Sequence, residues 1–360
     1  MTSSRHQSFA RPVSGARLVS VGTATPSSTY TQQQILEWAH ETDPKIERLF
    51  RNSHIAQRHL YLTAPVDGGL PDETNQELID KHLRGVLDIG PQAIPRALAP
   101  LGLAPTDVDF FLGITSTGLL CPGITAHIIR AMGFRDDVKR ADIVGMGCNA
   151  AMNGLQLMTG WCQTQPGRIG VMLCVEICSA AYTLNRSLST AVVNSLFGDG
   201  AGAVVIRSDA RDGWADGPVM AYAESFILTD AIDAMKYELD GSKLSFFLER
   251  NIPYVIGEHV SIPVTRLLGR HGLEVSDIDH WMIHSGGKKV IDAIAQHLAL
   301  PDHAVRHTRS ILHDYGNMSS SAVLFSFDEL RREGVIKARD LGVMIAMGPG
   351  TSIEAALLAW

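Results

Sequence analysis

Apolar residues gather along this chain in short continuous runs. They fall at residues 17–22, 109–115, 141–145, 170–175, 203–207, 280–284, 342–347 and 353–358. Continuous rather than alternating apolar character predicts strands covered on both faces. Between the runs the period lengthens. Val290, Ile291, Ile294 and Leu298 recur at helical spacing, as do Val323, Phe327 and Leu330. The stretch from Ala150 to Trp161 is apolar nearly all round, which predicts a buried helix. Strands alternating with helices indicate an α/β fold. The order of elements also repeats coarsely. A strand, a glycine turn, a helix and a further strand occur in each half. The expected organisation is a flexible tail over 1–15, one half over 16–210 and a second over 211–360. The turn-rich segment 208–218 is the expected connection between the halves.

Composition narrows the class. A length of 360 residues corresponds to roughly two domains at about 150 residues each. With 45% hydrophobic residues the chain can bury a large core, so disorder is not its main state. Charged residues are only 19%, against about 25% in ordinary domains, which points towards surface buried in an oligomer. The net charge of −7 argues against a nucleic-acid partner. No apolar run reaches about 18 residues, so no membrane span is expected. The five cysteines are odd in number, follow no secretory signal and form no CxxC pair. Reduced thiols in a cytoplasm are expected, without a thiolate zinc site.

Three junctions could carry chemistry. In Asp142-Ile-Val-Gly-Met-Gly-Cys148-Asn, a strand meets a glycine turn and Cys148 stands where a helix should begin. Free N–H groups there favour a thiolate, so a lowered pKa is expected. A small buried cysteine at a tight turn is the plainer alternative. A partial dinucleotide fingerprint, Gly145-x-Gly147-x-x-Ala150, competes for the same segment, but the first acid, Glu176, lies beyond the run at 170–175. The second junction is His284-Ser-Gly-Gly, and the third is Gly316-Asn317-Met-Ser-Ser. A structural histidine and a helix-capping asparagine would explain each singly. Together, Cys, His and Asn at the carboxyl edge of one sheet suit acyl transfer, with the His and Asn donors facing an enolate or thioester oxygen. His303 and His307 stand four apart without the acid of a zinc-protease motif, so no metal is expected.

Five motifs in order resemble the type III polyketide synthases, the chalcone-synthase-like branch of the thiolase superfamily. They are the Gly-Cys148 turn, Phe197-Gly-Asp-Gly-Ala-Gly, His284-Ser-Gly-Gly, Gly316-Asn317-Met-Ser-Ser and Gly348-Pro-Gly-Thr. The resemblance covers the chain from about residue 15 onward. It implies a thiolase-like αβαβα layered fold built from two pseudo-duplicated halves, acting as a homodimer. It implies that Cys148 carries the growing acyl chain, while His284 and Asn317 bind the malonyl-CoA thioester, assist decarboxylation and stabilise the enolate. His284 would also favour the Cys148 thiolate. Phe197 and Phe246 would gate the coenzyme A tunnel, with Cys121, Cys178 and Ser319 at the cavity. Lys45, Arg48 and Arg51 would meet coenzyme A phosphates, a solvated helix face being the alternative. Coenzyme A thioesters would be the substrates, with no separate cofactor. Malonyl-CoA would serve as starter and extender of a cyclised tetraketide, and crotonase-type pathway enzymes would act alongside. Departures from the common pattern are Ser285 after the histidine, Asn149 after the cysteine, Cys121 in place of a methionine, and Cys178 and Ala181 in place of threonines.

Overall fold

The computed structural model describes residues 15–182, 187–208, 217–240 and 243–360. The expected tail at 1–14, and most of the connection around 209–216, lie outside the described residues. In chain order the strands begin with β1 (Arg17–Ala24), β2 (Thr29–Thr31), β3 (Gln57–His59), β4 (Phe110–Thr115), β5 (Lys139–Val144), β6 (Gly170–Glu176) and β7 (Gly200–Arg207). They continue with β8 (Val219–Ile227), β9 (Met235–Asp240), β10 (Lys243–Leu248), β11 (His280–Ile283), β12 (Leu341–Gly348) and β13 (Ser352–Ala359). All eight apolar runs are strands. Glu176 closes β6 rather than lying beyond it.

Nine strands form one sheet in the order β11-β12-β13-β8-β1-β7-β6-β4-β5. Read outward from the β8/β1 junction, its two wings follow the same rule. In one wing β1 runs antiparallel to β7, β7 antiparallel to β6, and β6 parallel to β4. In the other, β8 runs antiparallel to β13, β13 antiparallel to β12, and β12 parallel to β11. Among the described residues, β1 and β8 join the wings into one sheet through the pair Arg17↔Val219.

Helices cover each wing outside and fill the space between them. Helix Asn75–Leu98 packs Val86, Ile89, Ala93 and Ile94 against one wing. Its start is fixed by a capping box in which Thr74 and Glu77 satisfy each other's backbone donors. Helices Ile252–His259 and Lys288–His297 cover the other wing through Ile256, Val290, Ile291 and Ile294. The central layer holds Ala150–Thr164 and Ala322–Glu333. Met152, Leu155 and Met158 of the first share a core with Val323, Phe327 and Leu330 of the second and with strands from both wings. The all-round apolar character of 150–161 follows from that position, because this helix has a sheet wing on either side.

Candidate active site

Cys148, His284 and Asn317 each sit just past the end of a strand or helix. Cys148 lies on the short turn Gly147–Asn149 between β5 and the central helix. Gly147 has φ 75°, and a Cβ there would stand 2.2 Å from Pro349 Cδ. Only glycine fits so close a backbone approach. Pro349 therefore fills the space over Gly147 that a dinucleotide phosphate would need, which removes the fingerprint reading. Asn149 locks the turn from beneath by donating to Ser352 Oγ at 3.0 Å. His284 follows β11, and its N–H donates to Ile345 O at 2.8 Å. Asn317 follows helix Arg306–Tyr315, which ends at Gly316 with φ 75°. The Asn317 N–H donates to Leu196 O at 2.8 Å, and its carbonyl accepts from Gly198 at 2.9 Å. That pairing ties the Asn317 loop to the Phe197 segment.

Cys148, His284 and Asn317 are all buried, and all three line one cavity of about 490 Å³. Lys45 and Arg48 stand at its solvent side. Behind Cys148 lies a second cavity of about 240 Å³, whose wall includes Cys178, Ala181, Ser319 and Tyr237. Cys148, Phe197, Phe246 and Met235 belong to both walls. The two phenylalanine rings meet edge to face with centroids 5.7 Å apart, so the thiol stands at the junction between an outer and an inner chamber.

The polar contacts around the thiol are few. Ser319 Oγ donates to Cys148 Sγ at 3.4 Å, and Asn317 Oδ1 accepts from the Ser319 N–H at 2.9 Å. That second bond closes a local Asx-type turn and is not the helix cap expected of the asparagine, since the N-cap of the following short helix is Met318. It leaves the two N–H donors of the side-chain amide for other partners. His284 Nδ1 is buried without a partner among the described residues. Burial pushes the Cys148 thiol up to about 12, with the Ser319 hydrogen bond opposing. The lowered pKa expected from a helix terminus is thus reversed, since desolvation outweighs the dipole. Burial also pushes His284 down to about 4. The two groups therefore rest as thiol and neutral imidazole.

One site expectation, Arg51, needs correction, and Cys121 stands apart from the cavities of the single chain. Arg51 faces outward to Glu47 at 3.4 Å and lines neither cavity. At about 100° per residue it lies about 120° around the helix from Lys45, whereas Asn52 lies about 20° away. Asn52 takes the cavity wall instead. Cys121 is exposed and lines neither cavity of the single chain.

Other lining residues went unnoticed in the sequence. Arg250, Lys288 and Lys289 add cations to the outer cavity. Tyr237 closes the inner one and donates to Ser116 O at 2.7 Å. Glu176 is fully buried beside the site, accepting from Ser320 Oγ, the Ser116 N–H and Thr117 Oγ1. Burial raises its pKa. Ser285, in place of the usual proline, donates to Gly316 O at 3.2 Å and so braces the neighbouring Asn317 loop. His307 bonds Glu333 at 2.9 Å.

The architecture and the site have counterparts among known proteins. Models of the N-terminal and C-terminal domains of chalcone and stilbene synthases match residues 3–210 and 219–359. The chain belongs to the chalcone and stilbene synthase family. As a family member it is an acyl-transferring condensing enzyme of the type III polyketide synthase group, and its fold is the thiolase-like α/β layering described above. Similar proteins include the 3,5-dihydroxyphenylacetyl-CoA synthase of Amycolatopsis balhimycina, 47% identical over 96% of this chain and 93% of that protein. The enzyme of the same name from Streptomyces toyocaensis is 44% identical over 96% and 90%. The crystal structure of 1,3,6,8-tetrahydroxynaphthalene synthase from Streptomyces coelicolor superposes with a TM-score of 0.87, at 26% identity over 96% of this chain and 99% of that one.

Proposed function

We propose that this synthase condenses malonyl-CoA, as starter and extender, and cyclises the resulting tetraketide to 3,5-dihydroxyphenylacetyl-CoA, with Cys148, His284 and Asn317 as its catalytic set. One observation carries the mechanism: these residues, from three distant junctions, line a single cavity that ends in cations at the solvent side. The choice of product rests on the 44–47% identity to synthases of that name.

The chemistry follows from the chamber. The neutral imidazole takes the thiol proton, and the thiolate attacks a malonyl thioester carbonyl. Coenzyme A leaves, regaining that proton. The next malonyl-CoA presents its thioester oxygen to the imidazole and the Asn317 amide. The bond to its carboxylate breaks, carbon dioxide departs, and the electron pair moves into the carbonyl as an enolate. N–H donors aimed at that oxygen stabilise it more than they stabilise the ground state. The enolate carbon attacks the acyl carbonyl on Cys148, and the C–S bond breaks. The lengthened chain is then on coenzyme A, ready to return to Cys148. The inner cavity holds the growing chain. The starter-derived terminal carbon loses its carboxylate as carbon dioxide and attacks the ketone nearest the thioester end. That ketone's oxygen leaves as water as the ring closes and becomes aromatic. Lys45 and Arg48 hold coenzyme A phosphates at the mouth. Coenzyme A thioesters are the only reactants, and a crotonase-type enzyme is a fitting partner for a thioester product.

Mass spectrometry of the products formed from malonyl-CoA alone tests this reading. A dihydroxyphenylacetyl thioester or its acid is expected. Turnover only after an acyl-CoA starter is added would overturn the substrate assignment, and a pyrone would overturn the product.

A further inference from the structure

Arg58, the central residue of β3, is completely buried, yet among the described residues every group that accepts a hydrogen bond from it is uncharged. Its Nη1 donates to Asn194 O at 2.6 Å, Phe197 O at 2.8 Å and the Tyr182 hydroxyl at 2.8 Å. Its Nη2 donates to Gln32 Oε1 at 2.6 Å. Burial lowers its pKa from the ordinary arginine value, with the charges of Tyr182 and Asp199 opposing. A buried cation held only by neutral acceptors is a costly arrangement. What it holds is the segment that carries the ring between the two chambers. Tyr182 strengthens the grip, since its hydroxyl donates to the same Phe197 carbonyl at 2.5 Å.

The grip extends across the site. The residues flanking Phe197 are paired with Asn317, through the Asn317 N–H to Leu196 O and the Gly198 N–H to Asn317 O. There is little slack between them. A Cβ on Gly316 would stand 2.6 Å from Leu196 O and 2.9 Å from Arg58 Cδ. On its other side, Gln32 Nε2 donates to Ser53 Oγ at 2.8 Å and to Ser195 O at 2.7 Å. Ser53 lies two residues beyond the helix that carries Lys45 and Arg48, just past its C-cap Asn52.

We propose that Arg58 is a positioning residue that holds the Phe197 ring and Asn317 in one register, so that the enolate formed by decarboxylation is spent on condensation rather than on protonation to acetyl-CoA. The catalytic part of this inference rests on the proposed function; the positioning part does not.

The test uses Arg58→Lys, which keeps the charge but loses the fork, and Tyr182→Phe, which removes one hydroxyl. Hydrogen exchange at the Gly198 and Asn317 amides should quicken at least tenfold in both variants, with melting temperatures within a few degrees of the parent. With malonyl-CoA, kcat for condensation should fall at least tenfold while KM moves less than threefold, and more acetyl-CoA should appear per condensation. Unchanged exchange overturns the positioning role. Faster exchange with an unchanged kcat and unchanged acetyl-CoA release overturns its catalytic consequence. If Arg58→Lys does not fold, Tyr182→Phe decides alone. If the parent enzyme makes no polyketide, the proposed function fails, and the exchange measurement still decides whether Arg58 holds the segment.

Discussion

Burial moves the proton affinities of Cys148 and His284 in opposite directions, to about 12 and about 4. The pair therefore titrates in two widely separated steps. The first proton leaves near the lower value and the last near the higher one. Between them the thiol keeps its proton and the imidazole is neutral, and transfer of that proton to the imidazole would create the nucleophilic form. Alkylation of Cys148 by iodoacetamide should accordingly be nearly flat with pH from 6 to 9. In His284→Gln the thiol proton has no acceptor, so the rate at pH 7 should drop at least a hundredfold and then climb with pH. A flat profile in that variant would show that the imidazole is not the base. At this scale the sequence pointed to Cys148 and His284, which the fold brings to one cavity, but not to their protonation. Cys148 stood out through the glycine turn before it. The desolvation that sets its pKa comes from the Phe197, Tyr182 and Cys178 side chains packed with it, all remote in sequence or beyond local pattern. Arg58 gave no signal at all, because a single arginine between polar residues looks like surface.

Among the elements, helix Pro44–Arg51 shows how local sequence sets a functional edge. Asp43 caps it by accepting from the Lys45 N–H at 2.8 Å, and proline opens its first turn. Its apolar side buries Ile46 and Phe50, leaving Lys45 and Arg48 on the cavity side and Arg51 away from it. Lys45→Ala and Arg48→Ala should each raise KM for malonyl-CoA roughly five- to twentyfold, about 1–2 kcal/mol for a partly exposed charge contact, with kcat nearly unchanged. Arg51→Ala should change neither by more than twofold. Steady-state kinetics of the three variants decides the point, and an Arg51 effect as large as the others would contradict the helical geometry. The strands that escaped sequence reading share one trait. In β8, Glu224 and Ser225 interrupt the apolar run although the strand pairs on both sides; Glu224 is ion-paired with Arg270 at 2.7 Å. In β9 the charges of Lys236, Glu238 and Asp240 alternate with Met235, Tyr237 and Leu239, and in β10 Ser245 breaks the apolar run before Phe246; Tyr237 and Phe246, paired across the hairpin, line the inner cavity. A period-2 pattern only six residues long is weak beside the continuous runs of covered strands.

For the whole molecule, β5 ends the sheet as an edge strand, and Val144 and Met146 beside it are 42% and 40% exposed. The first residues of β5, Lys139 and Arg140, are charged and exposed, so the apolar contact offered to a second copy is confined to the end of the strand at Val144 and Met146. Sedimentation equilibrium should give a dimer, and Val144→Asp should shift it towards monomer. A monomeric parent protein would sink this assignment. The repeated order of elements was legible in the sequence because each wing uses its own covered strands. The merging of both wings into one sheet was not, since it depends on a long-range pairing of β1 with β8.

That junction has a further consequence. Among the described residues, sheet continuity between the wings rests on one residue pair, Arg17 with Val219. Cys148 follows the last strand of one wing, while His284 follows β11 of the other and Asn317 lies between β11 and β12. Should the wings part, the thiol would be drawn away from His284, its proposed base, whose backbone is bonded to β12 of the far wing. An opened molecule would then be inert instead of squandering thioesters by hydrolysis, a fail-safe inherent in dividing the reactive groups between the two sides of a seam.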